Sequence, residues 1–335
     1  MAAQIELLDC TLRDGGHVNN WQFGHDKISQ IIKNLNRARV DFIEMGFLRD
    51  TDYSSDRSLF SSIEQANEFL EDTKVTSNFT LMIRPDWINF ESLPLANKIN
   101  TLRWAFYEKD FSRLAKQVEI AKNAGYSVYL NPINVFSYTN ASLQNLLLAL
   151  NDLEPDGVSI VDTFGSLLPS DLTTYLSLFT DNLNEKIKLG LHLHENLSLS
   201  FALAIQFIRE SGPSRDIIID SSLLGMGRAP GNLPTELIIP FLNKENDKNY
   251  DLQFILKTID EEINPLKKTF KWGYSPEYAL TAFNRIHRSY AEYLTEELSV
   301  PLEHVSQVTK HVIAEHLENS FDAQFTKHIL EKLNG

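Results

Sequence analysis

Three runs decide how this chain is read: GVSIVDT at 157–163, IKLGLHLHEN at 187–196 and DIIIDSSLLG at 216–225. Each is short, apolar and rich in β-branched residues, which marks a buried strand. Their starts are roughly thirty residues apart, the length of one strand–helix–strand unit. Outward from them the same rhythm runs back through YSVYLNPI at 126–133, TLRWAF at 101–106, FTLMIR at 79–84, DFIEMGF at 41–47 and IELLD at 5–9. Between the runs, segments such as HDKISQIIKNLNRARV and SLQNLLLALNDLEP set apolar residues three and four apart, the spacing of an amphipathic helix. Eight strands alternating with helices predict an α/β chain folded as a (β/α)8 TIM barrel, with a doubly wound open sheet as the alternative.

After residue 232 the strand rhythm stops and the remainder reads as helices, broken by a polar stretch at Asn243–Tyr250. The expected division is a catalytic barrel over 1–240 and a C-terminal helical domain over 251–335. The chain has 335 residues, and its 31 Lys and Arg against 45 Asp and Glu give a net charge of −14. A uniformly acidic surface is poorly suited to gripping nucleic-acid phosphates or anionic lipid. No apolar run approaches the ~20 residues that span a bilayer. Acidic residues at Glu6 and Asp9 interrupt any signal-like stretch, so a cytoplasmic location is expected. The single cysteine, Cys10, rules out an internal disulfide.

In a barrel, chemistry gathers at the C-terminal ends of the strands. Here those ends are polar: Arg13, Asp14 and His17 after the first strand, Glu44 in the second, Arg84 after the third and Asn131 in the fifth. Asp162 and Thr163 end the sixth, His192, His194 and Asn196 the seventh, and Asp220 and Ser221 the eighth. Residues two apart on a strand share a face, so His192 and His194 project together. Such a pair is either a metal platform or two satisfied core histidines. Asp14, two strands away, would complete a facial triad with open positions, suited to Mn²⁺, Mg²⁺, Co²⁺ or Fe²⁺ rather than to a closed zinc site. The loop Gly225-Met226-Gly227-Arg228-Ala229-Pro230-Gly231-Asn232 is either a structural turn or a backbone surface that approaches a ligand closely.

Thr11-Leu12-Arg13-Asp14-Gly15, His192-x-His194-x-Asn196 and Gly225-Met226-Gly227-Arg228 with Gly231-Asn232 resemble the three motifs of the DRE-TIM metallolyase superfamily, in the superfamily's order. Within it the chain looks most like the 4-hydroxy-2-oxovalerate aldolases. His17 stands three residues after Asp14, as theirs does, GMGRAPGNLPTE is close to their strand-eight loop, and Gly273-Tyr274-x-x-x-Tyr278 resembles their C-terminal tyrosine pattern. The resemblance implies an aldehyde-lyase that makes or cleaves a 4-hydroxy-2-oxo acid through a pyruvate-type enolate. It implies Asp14, His192 and His194 as ligands of a divalent cation, Mn²⁺ first and Mg²⁺ or Co²⁺ otherwise. It gives Arg13 as enolate stabiliser, His17 as base and Tyr278 as a catalytic partner. Substrate contacts would come from Thr163, Gly225, Gly227, Arg228 and Asn232, with Glu44 and Asn196 supporting the metal ligands. The implied partners are a 2-oxo acid and an aldehyde, with the C-terminal helices available for self-association or for an aldehyde dehydrogenase. The segment Glu44–Asp50 is nearer the pattern of acyl-CoA-dependent synthases of the isopropylmalate synthase type, which keeps a Claisen condensation as the alternative. A non-catalytic binding barrel is the further alternative.

Overall fold

The computed structural model describes residues 3–71, 73–228, 230–318 and 320–334; Ala229 of the glycine-rich loop lies outside them. Eight parallel strands form the barrel: β1 (Ile5–Asp9), β2 (Phe42–Leu48), β3 (Asn78–Ile83), β4 (Ile99–Phe106), β5 (Ser127–Pro132), β6 (Gly157–Val161), β7 (Lys188–His192) and β8 (Ile217–Ser221). Each strand pairs with the next, and β1 pairs with both β2 and β8, which closes the sheet. The register on the closing seam sets Ile5 opposite Ile217 and Asp9 opposite Ser221. This is the expected TIM barrel. A two-residue strand, Leu59–Phe60, adds to β2 in the loop before β3, a feature too short for its apolar pattern to announce.

Helices fill every connection except residues 84–98 between β3 and β4, which form none, and their apolar stripes are buried against the outer face of the sheet. The helix His25–Arg37 buries Ile28, Ile31, Ile32 and Leu35, the three-and-four spacing of its sequence. Inside the barrel the side chains form layers. Phe42, Tyr129 and Ile218 pack with Leu8 in one apolar cluster. Two residues further along the same strands, on the same face, stand Glu44, Asn131 and Asp220. A hydrophobic layer thus supports a buried polar one at the C-terminal mouth.

The helix Leu252–Thr258 packs between His25–Arg37 and Thr235–Glu245, and its Ile255 belongs to the main core. A second hydrophobic cluster gathers Ile286, Tyr290, Leu294, Val305, Val312 and Leu330 from the later helices. No helix among the described residues is long and apolar enough to cross a membrane.

Candidate metal centre and active-site cavity

The turn that ends β1 brings two charged side chains inward. The backbone N–H groups of Arg13 and Asp14 both donate to the carbonyl of Cys10, at 3.1 and 2.8 Å. Asp14, His192 and His194 are buried, and one ligand atom from each lies within 4.8 Å of the others. Among the described residues this is the one cluster of three such groups.

The outer contacts of this trio orient it. His194 Nδ1 lies 3.2 Å from the carbonyl oxygen of Gly231, which can only accept, so Nδ1 carries a hydrogen and Nε2 is the atom turned to the cluster. His192 Nδ1 donates to Asp220 Oδ2 at 3.0 Å, with the same consequence. Burial pushes His194 down to about pH 3 for its titration, so it is neutral at physiological pH. Burial alone would raise the Asp14 carboxyl, but the Arg13 guanidinium against it holds it well below the ordinary range. Two imidazoles and an ionised carboxylate, each oriented from outside, form a donor set that fits a divalent cation.

Around them runs a continuous charge network. Arg13 donates from Nη1 to Asp14 at 2.5 Å and from Nε to Glu44 at 2.6 Å. Glu44 also accepts from Arg103 at 3.1 Å, and Arg103 reaches Asp220 at 2.7 Å and Asn131 at 3.0 Å. Burial would raise the Asp220 carboxyl, yet Arg103 and His192 bring it to about 2. A β-bulge shapes β2 at this point, where its register on β3 shifts between Glu44 and Phe47. Strict alternation would send those two side chains to opposite faces. With the bulge, both meet Arg13: Glu44 as its ion pair and Phe47 with its ring centroid 5.9 Å from the guanidinium carbon.

A cavity of about 230 Å³ opens over this cluster at the barrel mouth. Arg13, Asp14, His17, Thr163, His192, His194 and Arg228 all line it. His17 rests against Trp21, ring centroids 4.6 Å apart, and burial lowers its pKa to about 3. Thr163 accepts from the backbone N–H of Asn134 at 2.7 Å, which leaves its own O–H free to donate. Asn232 donates to Asp14 Oδ2 at 2.9 Å. A Cβ on Gly227 would collide with the Asn232 amide and stand 2.9 Å from that same oxygen, so this approach requires glycine. Gly225 turns the loop at φ +60° without lining the cavity. Asn196 is buried against Gly165 and makes no hydrogen bond to the cluster among the described residues.

Tyr278 is not brought to the cluster. Its hydroxyl donates to Glu296 at 2.9 Å, and the ring lines a separate cavity with Trp272. Tyr274 is 64% exposed. The C-terminal helices instead present His287 and Arg288 to the main cavity, and Glu292 binds Arg228 at 3.3 and 3.4 Å. None of these three, nor Arg103, was marked by a motif. Arg103 did carry one signal, a charge inside the apolar run TLRWAF.

Residues 103–261 match the HMGL-like family model. A 4-hydroxy-2-oxovalerate aldolase of Bacillus cereus (strain ATCC 10987 / NRS 248) is 25% identical over 268 residues, 78% of this chain and 76% of its own. An oxaloacetate decarboxylase of Mycobacterium tuberculosis (strain ATCC 25618 / H37Rv) is 24% identical over 71% of this chain and 70% of its own. The N-terminal domain of a candidate aldolase from Bacteroides vulgatus superposes with a TM-score of 0.75 at 25% identity, over 87% of this chain and 96% of that one. Motifs, family match, relatives and barrel agree, and what the chain is similar to is the group of HMGL-like (DRE-TIM) proteins.

Proposed function

We propose that this protein is a divalent-metal-dependent aldolase that cleaves or forms a 4-hydroxy-2-oxo acid by way of a pyruvate-type enolate. The observation that carries this reading is the buried Asp14, His192 and His194 donor set with Arg13 beside it, in one cavity with His17. Its relatedness to aldolases supports the same reading.

A cation held by those three residues, Mn²⁺ first and Mg²⁺ or Co²⁺ otherwise, supplies Lewis acidity to the 2-oxo group. Arg13 keeps its charge, because Glu44 and Asp14 offset the burial that opposes it. Its guanidinium stabilises the negative charge that develops on the 2-oxo oxygen as the C3–C4 bond breaks. Thr163 donates its free O–H to the substrate carboxylate. His17 is neutral and takes the proton of the 4-hydroxyl; the electrons of that O–H bond form the aldehyde carbonyl, and the C3–C4 pair becomes the enolate. The proton taken by His17, returned to C3 directly or through water, then completes the 2-oxo acid and leaves His17 neutral again. Arg228, Arg288 and Arg13 hold down the proton affinity of His17. An anionic substrate among them offsets their field and moves His17 back toward the strength a base needs, against the burial that is the larger cause.

The test is loss of the pyruvate methyl signal in D₂O by NMR. Exchange is expected with Mn²⁺, is expected to stop with EDTA, and is expected to fall at least about a hundredfold in Arg13→Gln, the scale set by removal of one oxyanion donor. Absence of exchange in protein shown to hold its metal would sink the proposal.

A further inference from the structure

Besides Arg13, three arginines line the cavity: Arg84, Arg228 and Arg288. Arg84 is held in a fork by Asp86 at 3.0 and 3.1 Å, and Arg228 by Glu292 at 3.3 and 3.4 Å. Arg288 differs. Its side chain is 14% exposed, it lines the cavity, and its Nε is buried with no hydrogen-bond partner among the described residues. The nearest carboxylate oxygen, on Glu292, is 3.6 Å away and already serves Arg228. Two guanidiniums thus share one carboxylate, and Arg288 lines the cavity with no carboxylate in hydrogen-bond reach. Burial and the adjacent Arg228 lower the Arg288 pKa to about 10, which marks the same imbalance.

An unpaired buried charge is costly to keep, and a planar guanidinium fork matches the geometry of a carboxylate or phosphate. The 2-oxo acid end of a substrate is provided for elsewhere, by Arg13, Thr163 and the metal ligands. We propose that Arg288, with Arg228 beside it, receives a second anionic group at the far end of the aldehyde component. The substrate is then a dianion: a 2-oxo acid at one end, a carboxylate or phosphate at the other. The inference rests on the aldolase reading and deepens it, because a plain aliphatic aldehyde would leave Arg288 unanswered.

Calorimetric titration tests it with chain-matched pairs that differ only in the distal group. 2-Oxoglutarate is compared with 2-oxopentanoate, and 2-oxoadipate with 2-oxohexanoate, on Mn²⁺-loaded protein. In at least one pair the dianion is expected to bind about tenfold tighter or more, the factor that corresponds to about 1.4 kcal/mol. Arg288→Met is expected to erase that preference, and Arg288→Lys to keep part of it. 2-Oxo-4-phosphonobutanoate, run beside 2-oxoglutarate, decides between phosphate and carboxylate. Equal affinities within both pairs would overturn the proposal, and so would a preference that Arg288→Met leaves intact. Weakening of both members alike in Arg288→Met would overturn it too, since Arg288 would then hold the 2-oxo acid end. Circular dichroism verifies the fold of each variant. If Arg288→Met does not fold, the wild-type pairs and Arg288→Lys decide, and an undiminished preference in the lysine variant counts against the guanidinium fork. Pyruvate methyl exchange is read separately. Exchange without a dianion preference sinks this inference alone, and a dianion preference without exchange sinks the aldolase reading alone.

Discussion

Asp9 stands at the end of β1, five residues before the metal-ligand candidate Asp14, and is buried. Its carboxylate accepts from the Thr11 backbone N–H at 2.9 Å and from the Thr235 hydroxyl at 2.8 Å, tying the first strand to the helix after β8. Those bonds favour the ionised form, but burial outweighs them and raises the pKa from 3.8 to about 6. A carboxyl whose folded pKa lies above its ordinary value contributes stability that is complete below pH 3.8 and is lost as pH rises through 6. At about 1.4 kcal/mol per pH unit, the loss is on the order of 2–3 kcal/mol by neutrality. Asp9→Asn keeps one acceptor and gives Thr235 a donor, since a hydroxyl also accepts. Relative to wild type, its stability in urea titrations is therefore expected to rise by that amount between pH 4 and 7. A constant difference across that interval would show that Asp9 is ionised in the fold throughout.

At the scale of the element, the bulge in β2 does what a regular strand could not. It turns Glu44 and Phe47 onto the same guanidinium, and Gly46 makes the turn at φ +150°. A Cβ at Gly46 would collide with the carbonyl oxygen of Ser58, whose hydroxyl donates to the Leu12 carbonyl at 2.7 Å, directly before Arg13. Gly46→Ala is therefore expected to cost about 1–3 kcal/mol in denaturant, the scale of stored backbone strain. Because the displaced Ser58 is bonded to the loop that carries Arg13 and Asp14, metal affinity is expected to fall with it. Stability lost with metal affinity intact would mean that the loop does not feel the bulge. None of this was legible beforehand, because DFIEMGF reads as an ordinary strand and periodicity cannot say where pairing slips. The strands themselves were legible to within two residues at nearly every end, since each is an apolar run closed by polar residues. Arg103 shows the limit: its charge was visible in TLRWAF, but its partners Glu44 and Asp220 lie 59 and 117 residues away, and only the closed barrel joins them.

Across the whole molecule, the candidate site draws on both ends of the chain. Asp14 comes from the loop after β1, His192 and His194 from the end of β7, and Arg288 and Glu292 from the start and end of the short helical turn around Ser289–Glu292, nearly three hundred residues after the start. The first three were legible because they stand in motifs. The last two were not, because their place over the mouth depends on how the helical cluster around Ile286 and Tyr290 packs, which local pattern does not encode. The same gap explains Tyr278, whose G-Y-x-x-x-Y spacing matched while its hydroxyl turned to Glu296. A cation that joins β1 to β7 binds the folded chain and has no preformed site in the unfolded one, so it stabilises by mass action. At a hundred times its Kd that amounts to about 2.7 kcal/mol, which at roughly 1.5 °C per kcal/mol for a chain of this length predicts a rise in Tm of about 4 °C. The rise is expected with Mn²⁺ in scanning calorimetry, to reverse with excess EDTA, and to vanish in His192→Ala. The variant also leaves Asp220 without one of its two partners, so its Tm without metal is expected to be lower than wild type's. What decides the matter is the increment on adding metal. An increment retained in His192→Ala would put the cation somewhere other than between Asp14 and the two histidines.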